Sequence, residues 1–128
     1  MRILVDTNVW VHHFRRSDNE LAHWLEEDLV LCHPIVIGEI SMGALRRRGD
    51  LLITFFEMNQ TKIATWEETH HLVEERRLYG RGIQWNDAQL LASALLSDVK
   101  LWTRDRRLHE IADTLGIAYY DQNGNKKR

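Results

Sequence analysis

Short apolar runs alternate along this chain with longer stretches in which apolar positions recur at helical spacing. Residues 2–5, around Ile3-Leu4-Val5, predict a buried strand, and Leu29-Val30-Leu31-Cys32 predicts a second. Residues 62–64, 100–103 and 117–119 read as further short strands. Between them, residues 7–14 predict a first helix, and Asp18 or Asn19 caps another through Leu21, Ala22, Trp24 and Leu25. Pro34 suits the first residue of a helix that the apolar stripe carries to Gly49, and a further helix covers 51–58. A polar helix over 67–79 should end at Gly80 and Gly82. Asn86 is the expected N-cap of a helix carrying Ala88, Leu91, Ala92, Leu95 and Leu96, and residues 106–115 form the last helix, closed by Gly116. Strands alternating with helices imply an α/β fold: a central parallel sheet of about four to five short strands, flanked by helices on both faces. Residues 1–120 are expected to form one domain and 121–128 a frayed polar tail.

A 44% hydrophobic content in 128 residues supports a real core without being a membrane composition. No 18-residue apolar run and no secretory h-region is read in the sequence, and a lone cysteine, Cys32, cannot pair within the chain, so a reducing cytoplasm is the expected setting. The net charge of −2 argues against a general nucleic-acid coat protein but leaves a nuclease open. Positive charge is clustered at Arg46-Arg47-Arg48, at Arg76-Arg77 with Arg81, and at Arg104 with Arg106-Arg107. Most such clusters are solvated faces. Arg104 and Arg106 stand out because they flank an acid that calls for a different explanation.

That acid is one of four in unusual places. Asp6 follows the first strand, Glu39 interrupts Ile35-Val36-Ile37-Gly38, Asp87 opens an apolar helix, and Asp105 follows Leu101-Trp102-Thr103. A buried, unpaired carboxylate takes up a proton or finds a positive partner. Two like charges about 4 Å apart repel by roughly 4 kcal/mol even at an effective dielectric near 20, so such a cluster asks for a cation. Carboxylate oxygens with no Cys or His interleaved suit Mg²⁺ or Mn²⁺ rather than Zn²⁺. In a parallel α/β fold, Asp6 and Asp105 end strands where ligands bind, and the helix dipole favours an ionised Asp87. Glu39 is expected to point toward the apolar side of its helix. Capping turns explains each aspartate singly; it does not explain Glu39.

Four segments, Leu4-Val5-Asp6-Thr7-Asn8-Val9-Trp10, Pro34-Ile35-Val36-Ile37-Gly38-Glu39-Ile40 with Gly43, Asn86-Asp87-Ala88-Gln89-Leu90-Leu91-Ala92-Ser93-Ala94 and Leu101-Trp102-Thr103-Arg104-Asp105-Arg106-Arg107-Leu108, resemble in order the four motifs of PIN domains, most closely the VapC-type toxins of bacterial toxin–antitoxin pairs. The resemblance implies a PIN-like fold and a Mg²⁺- or Mn²⁺-dependent endoribonuclease in which Asp6, Glu39, Asp87 and Asp105 hold metal. Thr7, Asn8 and Thr103 would support those carboxylates. Asn8 departs from the usual Ser or Thr, and its amide can still donate to a carboxylate. Attack by metal-activated water would leave 5′-phosphate and 3′-hydroxyl ends, with no histidine needed as base.

The resemblance also implies a homodimer, an RNA substrate, no membrane, and a small antitoxin that covers the acids. Arg104, Arg106 and Trp85 are the RNA-binding candidates; Trp10 and Trp102 belong to the core, and no histidine is expected in the site. Two rivals remain. A receiver-like phosphoacceptor domain would need paired acids after its first strand, whereas Asp6 stands alone and Asp50 follows Arg48-Gly49. A non-catalytic PIN-fold binding module would tolerate losing an acid, and all four are present.

Overall fold

A computed structural model describes residues 1–122. In order they form β1 (Ile3–Val5), α1 (Thr7–Arg15), α2 (Asn19–Glu26), β2 (Val30–Leu31), α3 (Pro34–Ser41), α4 (Arg48–Glu57), α5 (Trp66–Arg76), α6 (Trp85–Ser97), β3 (Lys100–Trp102) and α7 (Arg106–Thr114). β1 is central. It pairs in parallel with β2, Leu4 opposite Leu31, and with β3, Leu4 opposite Leu101, giving the order β2-β1-β3. Ile3, Leu4 and Val5 are all fully buried although neighbours on a strand point to opposite faces, so helices cover both sides of the sheet.

The sheet among the described residues has three strands, not four to five. The two missing edges are present in reduced form. Cys32 makes a single parallel bridge to Gln60, through Cys32 N to Asn59 O and Thr61 N to Cys32 O, and Leu101 bridges Ala118 in the same way. Each edge therefore stops after two hydrogen bonds. The segment expected as a strand at 62–64 is instead held by side chains, Lys62 N–H donating to Ser97 and Ala64 N–H to Ser93 on α6, while 117–119 keeps only the backbone pair to Leu101 and a turn back from Ile117 N–H to Ala112.

Three boundaries also differ from the sequence expectation. α3 stops at Ser41 rather than Gly49, because Met42 N–H and Gly43 N–H turn back to Glu39 and Ile40 and Arg48 Nε donates to the free Ser41 carbonyl. α5 stops at Arg76, where Arg77 takes a left-handed conformation (φ 53°) ahead of Gly80. α6 is capped at Gln84 rather than Asn86, because the Asp87 carboxylate accepts from Gln84 N–H at 3.0 Å. Asp121, placed in the polar tail by the sequence, is buried and accepts from the Trp102 indole at 2.7 Å, while Gln122 N–H donates to Glu20. The remainder of that tail, 123–128, lies outside the described residues.

The order β2-β1-β3 puts a topological switch at β1: the chain leaves it toward β2 on one side and returns to β3 on the other. Beyond the carboxyl ends of β1 and β3 the diverging connections open a cleft.

Candidate active site

Three helices begin at this cleft, each with an aspartate at its N-terminus. Asp6 caps α1, its Oδ1 accepting from Thr7 N–H at 2.7 Å. Asp105 caps α7, its Oδ1 accepting from Leu108 N–H at 3.1 Å. Asp87 lies in the first turn of α6. The capping reading of these acids is thus correct and incomplete. Capping uses one oxygen of each, and it points three partial positive helix ends at the same place.

Glu39 joins them from α3. It is exposed to the cleft rather than turned to the apolar side of its helix, because Val36, Ile37 and Ile40 take the buried stripe and leave position 39 outside it. Its Oε1 accepts from Thr7 Oγ1 at 2.7 Å, so Thr7 links Asp6 through its N–H and Glu39 through its hydroxyl. A cleft of about 510 Å³ is lined by Asp6, Thr7, Asn8, Glu39, Asp87, Arg104 and Asp105 together with Val11, His12 and Arg15.

Asp6 is the buried member and the most constrained. Its Oδ2 accepts from the hydroxyl of the fully buried Thr103 at 2.8 Å and from Asn8 Nδ2 at 3.4 Å. Thr103 Oγ1 in turn accepts from Asp105 N–H at 3.1 Å and from Asn8 Nδ2 at 3.2 Å. The other end of the Asn8 amide accepts from Arg104 N–H at 2.9 Å, which fixes the amide's orientation. Asn8 therefore spans from α1 to the loop carrying Arg104 and Asp105, a reach that a serine or threonine hydroxyl does not have.

Burial pushes the Asp6 carboxyl from its usual 3.8 up to about 6; the charges of Asp87 and Glu39 add to the rise, and the bonds from Thr103 and Thr7 oppose it. Asp87 is also raised, first by burial and then by Asp105 and Glu39, against the bond from Gln84. The four carboxylates thus feel one another.

Glu39, Asp87 and Asp105 each have one oxygen that accepts no hydrogen bond among the described residues. Those are hard donors at a shared cleft, the chemistry that Mg²⁺ or Mn²⁺ takes. Among the described residues no three His, Cys, Asp or Glu side chains are already gathered as a metal cage. Mutual repulsion favours such an open arrangement in the absence of a cation.

The remaining candidates divide. Arg104 lines the cleft; Arg106 instead runs along α7 toward Glu110, 3.4 Å away. Trp85 is not a cleft residue: it tilts against the exposed Trp66, centroids 5.6 Å apart, and Trp66 stacks on His70. Trp10 and Trp102 are buried, as expected. The sequence reading missed His12 and Arg15. Positions 8, 11, 12 and 15 fall on one face of α1, and extending that face from Asn8 would have found both.

The PIN domain family profile matches residues 3–114. Ribonuclease VapC32 of Mycobacterium tuberculosis, from strain CDC 1551 / Oshkosh and from strain ATCC 25618 / H37Rv, is 40% identical over 121 residues, spanning 94% of this chain and 98% of the relative. Two solved structures share the fold. FitAcB from Neisseria gonorrhoeae superposes with a TM-score of 0.62 at 20% identity, over 93% of this chain and 96% of that one. PAE2754 from Pyrobaculum aerophilum superposes with a TM-score of 0.57 at 18% identity, over 90% and 86%.

Proposed function

This chain belongs to the PIN domain family and is of its VapC type, and we propose that it works as an endoribonuclease whose four acids hold Mg²⁺ or Mn²⁺. The observation that carries this reading is the convergence of three helix-capping aspartates and Glu39 on one cleft, with three carboxylate oxygens free of protein donors. Asp6, Glu39, Asp87 and Asp105 would hold the ion. When bound, it supplies Lewis acidity, lowering the pKa of water and offsetting charge on the phosphoryl group.

The chain's own residues do the rest. Thr103 and Asn8 fix the Asp6 carboxylate, and Thr7 holds Glu39 to the same side of the cleft. Arg104 lines the cleft and its guanidinium pairs with no carboxylate among the described residues; it would hold a phosphate of the substrate. In-line attack by water on that phosphodiester would leave a 5′-phosphate and a 3′-hydroxyl.

The VapC type further supports a toxin restrained by a cognate antitoxin. An Arg from such a partner, entering the acidic cleft, would satisfy paired carboxylates with two parallel bonds. Association as a homodimer fits the exposed apolar side chains Trp66, Leu95 and Leu96 on the α5–α6 face. A cytoplasmic setting is in keeping with the buried free thiol of Cys32, and no helix among the described residues is long and apolar enough to cross a membrane.

The experiment is cleavage of a structured RNA by the purified chain with Mg²⁺, with Mn²⁺ and with EDTA. Cleavage that needs the metal and stops with EDTA is expected. A chain that binds RNA or its partner but never cuts would make it a non-catalytic PIN module, and full activity in EDTA would remove the metal mechanism.

A further inference from the structure

Arg15 belongs to two cavities at once. It lines the acidic cleft, and it also lines a neighbouring groove of about 640 Å³ between the C-terminal end of α1 and the start of α4. The second groove has a partly buried apolar floor of Phe14, Leu45 and Leu51 and carries Arg46 on its wall.

Arg46 and Arg47 line this groove and Arg48 follows them, and the three have different fates. Arg48 donates to the Ser41 carbonyl and closes α3, and Arg47 pairs with Asp50 at 3.0 Å. Arg46, like Arg15, is exposed and has no ion pair or side-chain hydrogen bond among the described residues. Two unpaired guanidinium groups therefore continue from the acidic cleft over an apolar floor. On a chain of net charge −2 that lays four carboxylates at the point of cleavage, a polyanion needs local positive guidance, because the protein as a whole supplies none.

We propose that this groove binds the single-stranded RNA flanking the scissile phosphate, with Arg15 and Arg46 on successive phosphates and base faces resting on Phe14, Leu45 and Leu51. The proposal rests on the ribonuclease reading and extends it to a substrate path. Single-stranded RNA suits the site because arginines meet its backbone while an apolar floor accepts any base, and because Arg15 joins the groove directly to the cleft.

The test compares wild type, R46A, the R15A/R46A pair and R76A, a control that removes the same charge from α5. Binding of a single-stranded RNA of about ten nucleotides is followed by fluorescence anisotropy against salt, and cleavage is measured on that RNA and on one of about three nucleotides. The slope of log K against log salt is expected to fall by about 0.7 for R46A and about 1.4 for the pair, with no change for R76A. R46A should slow cleavage of the long RNA and spare the short one.

Equal slopes in all four proteins, with cleavage intact, would overturn the RNA path and leave the ribonuclease reading standing. Slopes that fall as expected in a chain that never cuts would keep the path and remove the nuclease. Unchanged RNA slopes combined with loss of antitoxin binding in R46A would assign the groove to the protein partner and overturn the proposal.

Discussion

Replacing Asp6 by Asn should change the stability of the metal-free protein in a way that reverses with pH. Asp6 has its carboxyl raised from 3.8 to about 6, so relative to the unfolded chain its contribution is fully present below 3.8 and is lost as pH rises through about 6. At about 1.36 kcal/mol per pH unit, that difference is about 3 kcal/mol between pH 3.5 and pH 7.5. Asn cannot be charged, but its amide must face either Thr7 N–H or the Thr103 hydroxyl, at a cost of about 1–3 kcal/mol at every pH.

The two effects separate because only the first depends on pH. In EDTA, Asp6→Asn should be less stable than wild type near pH 3.5 and equal to it or more stable near pH 7.5. The wild-type profile alone would not reveal this. Burial lowers the His33 imidazole to about 4, so its contribution is present above 6.5 and lost as pH falls through 4, which opposes Asp6 across the same window. Urea denaturation of both proteins at the two pH values isolates the Asp6 part as a difference of differences, about 3 kcal/mol. A value near zero would show that the Asp6 charge is already compensated within the protein and would refute the electrostatic argument for a cation.

The His33 ring accepts from Ile35 N–H at Nδ1 and meets Ser93 Oγ at 3.0 Å through Nε2, so His33→Gln should remove the term that offsets Asp6 and leave stability falling as pH rises between 4 and 6; a slope unchanged from wild type in urea titrations would contradict that. Asn8→Ala removes the acceptor for Arg104 N–H and should cost about 1–3 kcal/mol in chemical denaturation, with a larger loss of cleavage than Arg106→Ala. Thr7→Val keeps the backbone bond to Asp6 but frees Glu39, so kcat should fall while the melting temperature stays within a few degrees of wild type. Expression of the chain alone should arrest bacterial growth, and co-expression of its antitoxin should rescue it; harmless expression of active protein would count against a toxin role.

The parts legible in the sequence were those governed by local pattern. Ile3–Val5 is apolar throughout because both its faces are covered, and Asp6 and Asp105 could be placed at strand ends from position alone. What escaped depended on contacts distant in sequence. The edge expected at 62–64 shrank to a single bridge at Gln60 because Ser93 and Ser97 on α6 took the amides of Ala64 and Lys62. Gln84 displaced Asn86 as a cap because Asp87 bonds its N–H. Glu39 lies outside the buried stripe of Val36, Ile37 and Ile40, and its tie to the site comes from Thr7, 32 positions away. His12 and Arg15 were within reach of helical spacing, but an adjacent histidine pair and a surface arginine carry little information until Asn8 fixes which side of α1 looks into the site.

If the four acids act as one divalent site, they must bind the ion jointly. Mn²⁺ binding by electron paramagnetic resonance, to wild type and to Asp6→Asn, Glu39→Gln, Asp87→Asn and Asp105→Asn at pH 7.5, measures this without reference to RNA. One saturable site in wild type is expected, weakened at least tenfold by the loss of Asp6 and measurably by the loss of each other acid. Equal affinity in all five proteins, or no saturable site in wild type, would contradict it.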